Sequence, residues 1–199
     1  MTYKQHLQLF FHPRAFSTDG ARPNSPISLT YIADEYPYHP KKMTTTLRFF
    51  LQFLRASLQA LPQCETRIQD LLTLVSSGWD TALEVAEAER RMSLQHPTEA
   101  RIVSDERLAI SSLVLLPKVR TKVAAGFEVA VTIGESLVLS CSAEPSARVI
   151  YGEKYKEDKM RQFVQERTGD GVAGWDGAVA ELRERLIIRG ARGGATPRR

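Results

Sequence analysis

Val119-Arg120-Thr121-Lys122-Val123-Ala124-Ala125-Gly126-Phe127-Glu128-Val129-Ala130-Val131-Thr132-Ile133 is the stretch that decides the fold. Its odd positions are Val, Thr, Val, Ala, Phe, Val, Val and Ile. Its even positions are Arg, Lys, Ala, Gly, Glu, Ala and Thr. Strict alternation over this length predicts a long strand with one buried face and one more polar face. A strand of a parallel α/β sheet is apolar on both faces. One-sided alternation instead predicts an antiparallel sheet with helices on one side, an α+β two-layer sandwich.

Downstream, Gly134-Glu135 predicts a turn, and Leu137, Leu139 and Cys141 a returning strand. Glu144-Pro145 predicts a second break, after which Ala147, Val149 and Tyr151 make a third strand of a meander. A helix from Lys154 to Arg167 places Met160, Phe163 and Val164 inward. The loop Thr168-Gly169-Asp170-Gly171 ends it, and Trp175, Ala178, Val179, Leu182 and Leu186 mark a last helix. Arg189 to Arg199, rich in arginine, glycine and proline, is expected to fray.

Upstream, Leu108–Leu116 fits either strand or helix. Residues 93–107 contain Pro97 and few apolar side chains, which predicts a linker; Ser104-Asp105-Glu106 fits the cap of a short helix. At the N-terminus, Leu7, Leu9 and Phe11 share one face of a strand spanning Tyr3–Phe11, and Ile27, Leu29 and Tyr31 alternate again, predicting an antiparallel pair. Tyr36-Pro37-Tyr38-His39-Pro40 excludes helix interior and central strand. A helix starting at Thr44 to Thr46 carries a stripe of Leu47, Phe50, Leu51, Leu54, Leu58 and Leu61. Phe49 and Phe53 add a second apolar face, so both sides are expected to be covered, and Pro62 ends it. A second helix, from about Cys64 to Met92, runs through Ile68, Leu71, Leu72, Val75, Trp79, Leu83 and Ala86. Gly78 predicts a break or kink midway. Strands then helices occur twice, which divides the chain into residues 1–92, a linker at 93–107, residues 108–190, and a disordered basic tail at 191–199.

The 199 residues carry a net charge of +4. Residues 1–60 hold 7 cations and 3 carboxylates, residues 61–182 hold 14 and 19, and residues 183–199 hold 6 and 1. Basicity therefore belongs to the ends, and the charge does not argue for direct nucleic-acid binding. No apolar run approaches the length of a membrane span, and the start lacks the apolar core of a signal peptide.

Catalytic patterns are missing from the sequence. His6, His12, His39 and His96 do not pair at helical spacing, so no zinc-type motif exists. Cys64 and Cys141 fit reduced structural thiols, Cys141 on the inward register of a strand. The glycines form no phosphate-binding loop, and carboxylates such as Glu84 and Glu87 fit a solvated helix face. Neither a metal, a cofactor nor a small-molecule substrate is expected. An exposed sheet edge is a docking site for a peptide strand, so the residues point to a non-catalytic interaction module. Arg120 and Lys122, on the polar face of the long strand, and Arg148 and Lys154, flanking the third, are the candidate partner contacts.

The segment Tyr36–Pro40, after strands and before an apolar helix, resembles the connector of RWD domains, which place a four-stranded meander against helices. Leu47–Arg55, Val75–Asp80, Leu116–Val123, Val149–Glu153 and Glu181–Leu186 resemble, in order, the C-terminal region of the fungal outer-kinetochore scaffold of the Spc/Blinkin type. This resemblance spans about residues 28–190. It implies tandem RWD-like domains in the nucleus, at the kinetochore, that dock the scaffold onto the MIND complex through the tail of one MIND subunit. It also implies a piece of a longer protein, with the opening helix of the first RWD domain missing. RWD domains are similar in fold to ubiquitin-conjugating enzymes, which suggests a catalytically inactive adaptor as the alternative, since Cys64 follows no His-Pro-Asn turn. Nucleic-acid contact through the basic tail is a further alternative.

Overall fold

The computed structural model describes residues 2–4, 7–11, 27–32, 43–61, 66–116, 120–152, 155–168 and 174–193, with side chains as far as Arg189. Among these residues the fold is α+β, with two antiparallel sheets and four helices. The chain divides into two compact units: Met1–Leu83 with Val131–Ser140, and Glu84–Ala130 with Cys141–Arg199. The connector at residues 36–40, together with His6, His12, His39, Cys64, Lys154, the loop at 169–171 and residues 194–199, lies outside the described residues.

In the first unit, β1 (Thr2–Tyr3), β2 (Leu7–Phe10) and β3 (Ser28–Tyr31) form a three-stranded antiparallel sheet in that order. Leu9 registers with Leu29, and Leu7, Leu9, Ile27 and Leu29 are buried, as their alternation requires. The expected single strand from Tyr3 to Phe11 is instead two strands. Lys4 takes a left-handed backbone (φ 45°), which a continuing strand does not tolerate. Helix α1 (Thr45–Ala60) starts where the hydroxyl of Thr44 accepts the Leu47 N–H at 3.2 Å. Phe49, on one face, and Phe50, Leu51, Leu54 and Leu58, on the other, are all buried, so the helix is covered on two sides. Arg55 Nε donates to the Leu29 carbonyl at 2.7 Å, tying α1 to β3.

Helix α2 (Ile68–Gln95) runs unbroken past Gly78. The glycine is there for space: a Cβ would press on the Leu54 side chain and touch Leu139. The buried face is Leu71, Leu74, Val75, Trp79, Ala82, Val85, Ala88 and Met92. Leu72, Leu83 and Ala86, expected inward, are half-buried.

In the second unit, β4 (Thr98–Ser104), β5 (Arg107–Leu116), β6 (Thr121–Ile133) and β7 (Leu139–Tyr151) are neighbours in that order, an antiparallel meander. The stretch expected to be a linker holds the end of α2 and the whole of β4. Its few apolar residues reflect an edge strand exposed along most of its length. Asp105-Glu106 is a hairpin turn rather than a helix start, and the Ser104 hydroxyl accepts the Glu106 N–H within it. β7 passes through Pro145 without the expected break. It is the last strand of the sheet, and an edge is where a residue without an N–H is tolerated. Leu139, Ala143 and Ala147 are buried on its inner face.

Helices α3 (Glu157–Thr168) and α4 (Trp175–Gly193) bury the expected Met160, Phe163, Val164, Trp175, Ala178, Val179, Leu182 and Leu186. The Trp175 ring lies 4.5 Å from that of Phe127 on β6, which fixes α4 to the inner face of the sheet. Helix α4 extends to Gly193, beyond the point where fraying was expected, so residues 191–193 are helical. Among the described residues no helix is long and apolar enough to cross a membrane.

Candidate partner-docking surface

The inner face of the four-stranded sheet is spent on the core, so its outer face and edges are what it offers to others. Along β6, Thr121, Val123, Ala125, Phe127, Val129 and Val131 are buried, which turns Lys122 outward. Along β7, the buried Ala147 turns Arg148 outward. Arg120 is also exposed, but it does not belong to the strand as expected. It sits in the turn before β6 with φ 48°. Gly152, just past β7, has its Cα against the Arg120 carbonyl and Thr121; any side chain there would strike them. The start of β6 and the end of β7 are thereby adjacent. Arg120, Lys122 and Arg148 therefore gather at one end of the outer face.

Two apolar residues join them. Leu115 registers with Lys122 across β5 and β6 and is 46% exposed; Ile150, outward on β7, is 52% exposed. Both lie on the solvent parity of their strands, where an apolar side chain gains nothing from the fold. That parity mismatch is the signal the sequence carried and that charge alone did not reveal.

The edge of β5 completes the surface. β4 begins at Thr98, opposite Ser112, so β5 runs on past it. The Leu113 N–H donates away from β6, to the Pro97 carbonyl at 2.8 Å. The N–H and C=O of Leu115, two residues on, point the same way, where no strand of the sheet follows. A cleft of about 460 Å³ opens at this edge, between His96, Leu113 and Leu115 on one side and Arg183 and Glu184 of α4 on the other. His96 Nε2 is buried in the chain without a hydrogen-bond partner. Burial, then the nearby Arg183 charge, lowers the His96 pKa from its ordinary value. A strand edge, an apolar floor and flanking charges are what an extended peptide uses for affinity and for specificity.

Cys141 lies inward on β7 and is half-buried. Burial, then the Glu84 carboxylate, pushes its thiol up to about 11, so it is protonated at neutral pH and is a poor nucleophile. Among the described residues no three histidine, cysteine or carboxylate side chains converge on a point where a metal would sit.

Residues 1–86 match the family model of the Knl1 RWD C-terminal domain, a domain of a kinetochore scaffold. No curated protein and no solved structure matches the chain. The matched stretch holds β1 to β3, α1 and most of α2, and the α+β architecture with antiparallel sheets accords with an RWD-like fold. Over residues 1–86, then, the chain is similar to the Knl1 RWD C-terminal domain of a kinetochore scaffold.

Proposed function

We infer that this chain is a non-catalytic docking module that joins its scaffold to the MIND complex in the nucleus, in support of kinetochore assembly and chromosome segregation. The observation that carries the reading is the family match over residues 1–86. In this reading residues 1–92 and 108–190 are two RWD-like domains. The tail of a MIND subunit is received on the four-stranded sheet. Its backbone pairs with the open end of β5, its apolar side chains meet Leu115 and Ile150, and its carboxylates meet Arg120, Lys122 and Arg148. Lys154 belongs to the same proposed contact set. The outward parity of Lys122 and Arg148 supports this assignment.

Titration of reconstituted MIND complex against the chain tests it. Reversing Arg120 and Lys122 together to Glu is expected to weaken binding by about tenfold or more, chiefly at low salt. An unchanged Kd removes both residues from the contact; no binding by the unaltered chain removes the MIND reading itself.

A further inference from the structure

On the helical side of the second unit, α3 and α4 enclose a groove of about 230 Å³. Its floor is apolar, formed in part by the buried Phe163 and Leu186. Its rim is cationic. Lys156 and Lys159 line it from the start of α3, and Arg185 and Arg189 from α4. Glu166 is the one carboxylate in the lining.

Two other arginines of these helices are paired. Arg161 is bound to Asp158, and Arg167 to Glu181. Among the described residues the four rim cations have no such carboxylate partner. The Arg185 guanidinium is already held in place, 4.6 Å above the Phe163 ring. A charge that is oriented but unpaired, above an apolar floor, lacks its counterpart.

We propose that this groove binds an acidic segment of a protein partner, with carboxylates on the four rim cations. The charge is local, which decides against a polyanion. Asp158 and Glu181, on the same two helices, hold Arg161 and Arg167 in ion pairs, so the free cationic surface does not extend along the helices as a nucleic-acid backbone would need. Two rings line the groove: Phe163 is buried beneath guanidinium groups and Tyr155 is half-buried, so no run of exposed rings is offered to stacked bases. The groove lies on the opposite layer from the sheet's outer face, and binding there is independent of the docking proposed above.

The test is fluorescence anisotropy on the full chain, with a labelled short peptide of glutamates around two leucines. The same peptide with lysines for glutamates, and a labelled single-stranded oligonucleotide, are run beside it. The acidic peptide is expected to bind, and Lys159→Glu with Arg185→Glu to weaken it by about tenfold. Arg120→Glu with Lys122→Glu should leave this binding unchanged. Lys156→Ala with Arg189→Ala repeats the measurement should the reversal disturb the circular dichroism spectrum. Failure of the acidic peptide to bind, equal affinity for the variants, or preference for the oligonucleotide overturns the proposal. Retained MIND binding by the groove variants separates its failure from that of the docking reading.

Discussion

The two sheets of this protein carry their cores differently. In the first unit β1, β2 and β3 are only two to four residues long, and most of the buried volume comes from α1 and α2: Phe49, Phe50, Leu54, Leu71, Trp79. In the second, β5, β6 and β7 run ten to thirteen residues, and the strands themselves supply Leu108, Ile110, Val114, Val123, Phe127 and Val129. Gly78 and Gly126 record the contrast. Each is buried where a side chain would collide, but Gly78 meets the movable end of Leu54 whereas Gly126 meets the backbone of β5 at Ile110 and Ser111. A helix-built core yields by side-chain rotation; a ladder-built core has no such freedom.

Substitution at those glycines is the sharpest way to break the contrast. Gly126→Ala places a methyl group on the Ile110 carbonyl, and the two strands must part. A loss of at least about 3 kcal/mol is expected, read as a lowered urea midpoint with fast amide exchange in β5 and β6. Gly78→Ala asks only that Leu54 move, and should cost about 1–3 kcal/mol in the same measurement. Equal losses at the two sites would erase the distinction drawn between the cores. Smaller still is Thr44→Ala, which removes the α1 cap: about 1 kcal/mol, seen as a modest fall in Tm.

A pH series offers the finest probe of the second unit. His96 is neutral in the folded chain at a pH where the unfolded histidine, with its ordinary value of 6.5, begins to protonate. The folded value is the lower one. The contribution is therefore present above pH 6.5 and fades as pH falls through the folded value. His96→Gln should flatten the slope of unfolding free energy against pH below 6.5. An unaltered slope would show that its surroundings do not hold the imidazole neutral.

Where burial repeats at a fixed period, the elements were legible in the sequence. The alternation from Thr121 to Val131 on β6 and the apolar stripe of α4 recur in the structure, because each has one face on a core. Positions governed by neighbours distant in sequence were not legible. Pro145 looked like a strand end, since nothing local says that β7 is an edge. Gly78 looked like a kink, because Leu54 lies in another helix. Residues 98–104 looked like a linker, because an edge strand needs few apolar side chains. At the candidate site, the outward parity of Lys122 and Arg148 was readable from alternation. The left-handed turn at Arg120 and the apolar company of Leu115 and Ile150 depend on how strands register, which one strand's pattern does not contain.

Pro145 has a consequence for behaviour at high local concentration. Scaffold modules are held close together in an assembly, where exposed strand edges can join copy to copy and propagate into fibres. In the middle of β7 the proline leaves a gap in the row of donors, on an outermost strand that is otherwise long and regular. Two such edges cannot zip together in register, so crowding of these modules need not end in polymerisation.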